Sequence, residues 1–266
     1  MFSGLKIFSG FSRIDLVYDK VSKTSFALKR ISCHSKNDEN KALREANFQL
    51  NLPSHPNLLR CIASGLHYVT RYEQGAISEV LLVLSYSKRG TLQGEIDRRS
   101  SHNNPFPLYL IKTIMSGICE GLIALLSLDV PMSHSPGNVL LFEDMRPVLM
   151  DFGSATPATL RIEDIREAEK WKSLGCLLYA LIFFKSPMDL IHTRGDSVAL
   201  AACSANIPFP KDSCSNVFPG CMMLIKSMLT AKPQDRISFT EISDFFKNLP
   251  DGSVYCNSQN AVTYSF

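Results

Sequence analysis

The sequence predicts an α+β fold of two lobes, strand-rich over the first eighty-odd residues and helical thereafter. Three observations predict it. Apolar residues alternate over 11–31, a three- and four-residue apolar period runs through 106–128, and the pattern changes between Ser85 and Gly90.

In the first lobe, Ile14, Leu16 and Tyr18 alternate, as do Phe26, Leu28 and Arg30 beyond a polar turn at Asp19–Lys23. That pattern predicts a hairpin whose residues suit a pleated surface. Residues 37–50 are helix formers with loosely spaced apolar positions at Leu43, Ala46, Phe48 and Leu50, ended by Pro53. The apolar runs Leu58–Ile62 and Val80–Leu84 predict two further strands. In the second lobe, Leu108, Ile111, Ile114, Ile118, Leu122 and Leu125 predict one long helix over 106–128. Helices are also predicted over 174–184, 196–204, 219–230 and 239–247, and Val139–Leu141 with Pro147–Met150 predicts a short hairpin. No internal repeat or low-complexity segment interrupts this order.

Composition narrows the function. The 266 residues are 45% hydrophobic and 20% charged, which suits a globular chain of one large domain or two lobes sharing a cleft. A net charge of +3 argues for neither nucleic acid nor a membrane surface as partner. Cysteines at 33, 61, 119, 176, 203, 214, 221 and 256 form no CxxC pair, so neither a zinc cluster nor a disulfide scaffold is expected. A reducing, intracellular location is. Met1–Ser12 lacks the charged start and apolar run of a signal peptide, and position two is Phe2 where myristoylation needs glycine. The most apolar run, Leu174–Phe184, is too short to span a bilayer and is expected as a buried helix, so no transmembrane segment is expected.

Chemistry-bearing residues fall into an ordered series. Phe26-Ala27-Leu28-Lys29 ends a predicted strand on a lysine able to hold phosphates. Such a lysine is by itself most often a solvated surface charge. Glu45 follows 16 residues later on the predicted helix, where it can pair with Lys29, and His55-Pro56-Asn57-Leu58-Leu59 follows that helix. Asp151-Phe152-Gly153 directly follows an apolar strand, placing a carboxylate where it can hold magnesium against phosphate oxygens. Asn138 precedes Asp151 by 13 residues, with the predicted hairpin between them. Each piece is weak alone; the ordered combination is strong.

In that combination the chain resembles a eukaryotic serine/threonine protein kinase over roughly residues 9–250. It resembles in particular the Numb-associated kinase family, nearest its serine/threonine-protein kinase 16 branch. The resemblance rests on Gly10–Val17, Ala27–Ile31, Lys88–Leu92, Val148–Ala155, Ser173–Cys176 and Gly195–Ala201. It implies a bilobal protein-kinase-like fold, with a strand-rich N-lobe at 1–87, a helical C-lobe at 88–250 and a tail at 251–266. It implies ATP and Mg2+ as cofactors. The nucleotide site would comprise Gly10, Ser12, Lys29, Glu45, Leu84, Ser85 and Tyr86, with Asn138 and Asp151 as metal ligands. It implies a protein substrate or partner, and a cytoplasmic location. Golgi or peripheral membrane association follows only by analogy with a branch that is usually lipid-anchored.

Four departures bear on activity. The phosphate-covering loop, Ile7-Phe8-Ser9-Gly10-Phe11-Ser12, keeps one of the three glycines that let backbone approach phosphates. The catalytic loop reads Met132-Ser133-His134-Ser135-Pro136-Gly137-Asn138. Anchored on His134 it lacks three residues, including the Asp. Anchored on Asn138, Ser133 takes the Asp position and Ser135 the Lys position. Either way no carboxylate orients the substrate hydroxyl, and His134 is more readily a structural residue than a substitute base. Only Ser154–Lys170 separates Gly153 from Trp171, too short for an activation segment. Arg236 lacks the glutamate that would pair with it. The losses cluster, as discrete deletions would produce them, whether by splicing or in the gene model. The expected activity is therefore weak or absent phosphoryl transfer, the alternatives being a pseudokinase that binds nucleotide and a truncated product.

Overall fold

The computed structural model describes residues 7–9, 12–69, 75–126, 136–150, 174–197, 207–210, 219–230 and 235–249. The chain forms two compact units, the first Met1–Lys88 with Met150–Thr156 and the second Arg89–Leu149 with Pro157–Phe266.

The first unit is built on an antiparallel five-stranded sheet of order β1-β2-β3-β5-β4. Strands β1 (Ile7–Ser9), β2 (Ser12–Asp19) and β3 (Thr24–Cys33) are consecutive, and β2 pairs with β3 along its whole length, from Ser12 opposite Ile31 to Asp19 opposite Thr24. Asp19 sets the turn between them: its carboxylate accepts the backbone N–H groups of Val21 and Ser22 and the Ser22 hydroxyl. These bonds hold the carboxyl below its ordinary value. Helix α1 (Lys36–Leu50) starts at Ser35, whose hydroxyl accepts from the Asp38 N–H, and its backbone ends at Asn51 ahead of Pro53.

Strands β4 (Cys61–Tyr68) and β5 (Ser78–Ser85) complete the sheet. The first of these differs from the sequence expectation of Leu58–Ile62. Leu58 and Leu59 are buried but precede the strand, which starts at Cys61 and is exposed from Ile62 to Tyr68. An edge strand with both faces open has no apolar alternation to betray it. In β5, by contrast, Ser78, Val80, Leu82 and Leu84 are buried in strict alternation.

The second unit contains α2 (Leu92–Ser101), α3 (Leu108–Leu126), β6 (Val139–Leu141), β7 (Pro147–Leu149), α4 (Leu174–Phe183), α5 (Pro187–Thr193), α6 (Pro219–Met228) and α7 (Phe239–Lys247). Its core is made by Ile114, Met115 and Ile118 of α3, Leu177 and Leu181 of α4, Leu224 and Ile225 of α6, and Ile242 and Phe246 of α7, all fully buried. Helix α7 packs along α3, with Lys112 Nζ donating to the Leu249 carbonyl at 2.9 Å and Lys247 3.4 Å from Glu120. Over Leu108–Leu125, α3 is long and apolar enough to cross a membrane, with mean hydropathy 1.6, yet 56% of that window is buried inside the fold. It reads as a core helix.

Two helices escaped the sequence pattern. α2 carries only two apolar residues, Leu92 and Ile96, and both are buried. The helix expected at 196–204 falls mostly outside the described residues, and α5 was not predicted. The structure places it at Pro187–Thr193 behind a capping box of Ser186 and Asp189, with Pro187 in its first turn. Asp196 and Ser197 are not helical, and 198–204 lie outside the described residues.

Candidate functional site

In the first unit, two sequence-predicted residues meet. Lys29 sits mid-strand in β3, opposite Ile14 of β2 and Leu82 of β5. Directly opposed residues in an antiparallel pair share a face, so Lys29 and Ala27 lie on the same side of the sheet as the buried Leu82 and Leu84. Glu45 of α1 accepts from Lys29 Nζ at 2.8 Å, and the two side chains are 15% and 16% exposed. The result is a cation on a strand, oriented by a carboxylate from a helix.

Leu84 and Ser85 end β5. Leu84 is buried between Ala27 and Cys61, while Ser85 lies opposite Phe26 and donates its N–H to the Arg60 carbonyl at 3.3 Å. Tyr86 follows half-buried. Ser12 opens β2 opposite Ser9 of β1, so two residues join those strands; one of them is Gly10, which lies outside the described residues.

In the second unit, Asn138 closes a 3-10 turn, Pro136–Asn138, that leads into β6. β6 and β7 pair from Val139 opposite Leu149 to Leu141 opposite Pro147, and Val139, Leu141, Val148 and Leu149 are buried. The hairpin is tied to the chain before α2: Leu141 N–H donates to the Gly90 carbonyl at 2.9 Å, Leu140 bridges Thr91, and Arg89 Nε donates to the Glu143 carbonyl at 3.2 Å. Asp151 lies two residues beyond Leu149, outside the described residues, as do Ser133, His134, Ser135 and the segment Ser154–Lys170. Among the described residues no three His, Cys, Asp or Glu side chains form a group that could hold a metal ion.

Arg236 is half-buried and donates from Nε to the Thr230 carbonyl at 2.6 Å. Burial pushes its guanidinium below the ordinary value, and the carbonyl supplies part of what a glutamate would. A second charged cluster had no sequence signal. Glu95 of α2 takes Arg98 and Arg99, each at 2.7 Å, and Arg99 also lies 4.5 Å over the Phe106 ring. Arg98 first, then Arg99, hold the Glu95 carboxyl below its usual range against the opposing effect of burial.

A five-stranded antiparallel sheet with one helix packed on it and an ion pair joining strand to helix, followed in the chain by a helical unit that carries a short hairpin after its second helix, defines a kinase-like bilobal α+β fold. The chain belongs to the serine/threonine protein kinase family. It is 35% identical over 262 aligned positions to serine/threonine-protein kinase 16 of Rattus norvegicus, covering 85% of this chain and 82% of the relative. The same protein of Homo sapiens gives the same identity and coverage. A probable serine/threonine-protein kinase of Dictyostelium discoideum, DDB_G0280111, is 25% identical over 88% of this chain and 23% of its own length. No family model matches. Of the 262 positions aligned with the rat protein, 85% of 266 residues fill about 226, so about 36 are filled by the relative alone.

Proposed function

We propose that the chain is a nucleotide-binding member of the Numb-associated kinases whose phosphoryl transfer to protein Ser or Thr is weak or lost. The ion pair between Lys29 and Glu45 carries the reading. A lysine held at 2.8 Å by a helix carboxylate, on a strand of buried neighbours, is a fixed cation suited to phosphate oxygens. Lys29 would hold the phosphates of ATP and Glu45 would orient it. The backbone from Leu84 to Tyr86 would line the adenine. Asn138 and Asp151 would hold Mg2+, which when bound neutralises charge on the phosphate oxygens.

Transfer is the weaker half. No carboxylate stands at Ser133–Ser135 to orient the substrate hydroxyl, and losing such a group costs on the order of 10²–10⁴ in rate. The relative has a residue at roughly 36 aligned positions where this chain has none, a total large enough to include the segments that the motifs lack.

Thermal-shift titration of the full chain with ATP and MgCl2 tests the nucleotide half. A concentration tenfold above Kd should stabilise the protein by about 1.4 kcal/mol, and Lys29→Met should remove the effect. No shift at millimolar ATP overturns the reading. An autophosphorylation assay tests the other half: robust turnover that Lys29→Met abolishes would show that transfer is intact.

A further inference from the structure

Helix α1 carries Glu45, but the fully buried part of its surface has little to grip with. The buried residues of that face are Glu39, Ala42, Ala46 and Gln49, with no large apolar side chain among them. Alanine packs closely yet smoothly, so it resists rotation or sliding of a helix far less than interdigitating Leu or Ile would. Leu43 and Phe48 of the same helix are only half-buried, so a polar contact has a large share in setting the helix rotation that brings Glu45 onto Lys29.

Glu39 is the residue placed to do so. It lies in the first turn of α1, is 1% exposed, and accepts the Ser78 hydroxyl at 2.8 Å. Ser78 opens β5, is fully buried, and sits in the same strand as Leu82, the direct neighbour of Lys29. The second Glu39 oxygen takes Lys36 from the helix start, which balances the buried charge without a further tie to the sheet. A carboxylate buried this deeply is costly unless paired, and here one of its two partners is a sheet side chain.

We propose that Glu39 and Ser78 are positioning residues: their buried hydrogen bond pins the N-terminal end of α1 to β5 and so holds Glu45 in register with Lys29. Glu39 and Glu45 are six residues apart, about 9 Å along the helix axis. Two polar attachments at that separation fix both the axial rotation and the slide of α1 over its alanine face. With the first released, the helix can turn about the second and Lys29 loses its fixed direction. The inference rests on the nucleotide-site reading for its functional meaning, while the coupling between the two attachments stands independently of it.

The experiment is therefore read without nucleotide. The full chain is treated briefly with an N-hydroxysuccinimide ester, and acylation at Lys29 is quantified by peptide mass spectrometry against the exposed turn lysines Lys20 and Lys23. Ser78→Ala should raise Lys29 labelling about fivefold relative to those references, the change in opening equilibrium that a lost buried hydrogen bond produces. Ser78→Thr, which keeps the hydroxyl, should restore the wild-type value, whereas a merely structural role would give no such Lys29-specific rescue. Glu45→Gln sets the level reached when the pair itself is broken. Lys29 labelling at the wild-type level in Ser78→Ala, with Glu45→Gln raised, overturns the proposal. Should Ser78→Ala give no cooperative melt, Glu39→Met removes the pin without leaving a buried carboxylate, and the same two outcomes decide. Protection of Lys29 in the wild-type chain by ATP and MgCl2 tests the nucleotide reading separately.

Discussion

Breaking the ion pair between Lys29 and Glu45 should reveal how strongly strand and helix are joined. At 2.8 Å, and with an effective dielectric of 20, the bare attraction is about 6 kcal/mol. Desolvation offsets much of that, since each side chain keeps only about a sixth of its surface in water. What remains is the net value of a charge-assisted hydrogen bond, about 1.5–3 kcal/mol. Lys29→Met leaves the Glu45 carboxylate half-stranded, and Glu45→Leu does the same to the ammonium. The double variant strands neither. Urea unfolding followed by circular dichroism on all four proteins should therefore give a destabilisation for the pair smaller than the sum of the singles by about 2 kcal/mol. Additivity within about 0.5 kcal/mol would refute the claim that the two residues act as a unit.

Three further outcomes follow from the second unit and the cysteines. Gly175→Ala in α4 would place a Cβ 2.8 Å from Cγ and Cδ2 of Leu229 and 3.0 Å from Cβ of Met228. Overpacking of about 1–3 kcal/mol against a helix-propensity gain of about 1 kcal/mol leaves a net loss, read as a lower urea midpoint. Glu95 is held below its ordinary value by Arg98 and Arg99, so its contribution is complete above the unfolded carboxyl's value and lost as pH falls through the folded one. Stability measured from about pH 4.3 downward should fall less steeply in Glu95→Gln than in the wild type. Burial pushes the Cys119 and Cys221 thiols up to about 12, so iodoacetamide at pH 8 should spare both in the native chain. Cys176, half-buried, should react first among the cysteines described; preferential labelling of Cys119 or Cys221 would contradict the packing.

What could be read from the sequence depended on how clear a local pattern each element carries. Helix α7 at 239–247 presents one buried and one open side, and its period is plain. β2 and β3 are half-buried along most of their length and were legible from their β-branched and aromatic residues either side of a polar turn, as β6 and β7 were from their short apolar runs. Lys29 and Glu45 were legible because an ordered series of motifs surrounds them, not because either residue is unusual. β4 was misplaced because its residues face water on both sides. α2 went unseen because two apolar residues cannot set a period, and α5 because its signal was a capping box and not a stripe. Glu39 was invisible for a deeper reason: within Asn-Asp-Glu-Asn it looks like a solvated helix start, and only the fold buries it. Buried polar contacts between distant segments leave no local trace.

The membrane-like α3 also has a history that the folded state conceals. Its covering helix α7 begins at Phe239, 113 residues after α3 ends at Leu126. At roughly 5–20 residues per second, a ribosome takes roughly 6–23 seconds to make that interval. Through that time an eighteen-residue apolar surface has been synthesised and the helix that lies along it has not. Nascent chains arrested before residue 239 should therefore be the form of this protein that recruits chaperones and aggregates most readily, with release coinciding with the emergence of α7.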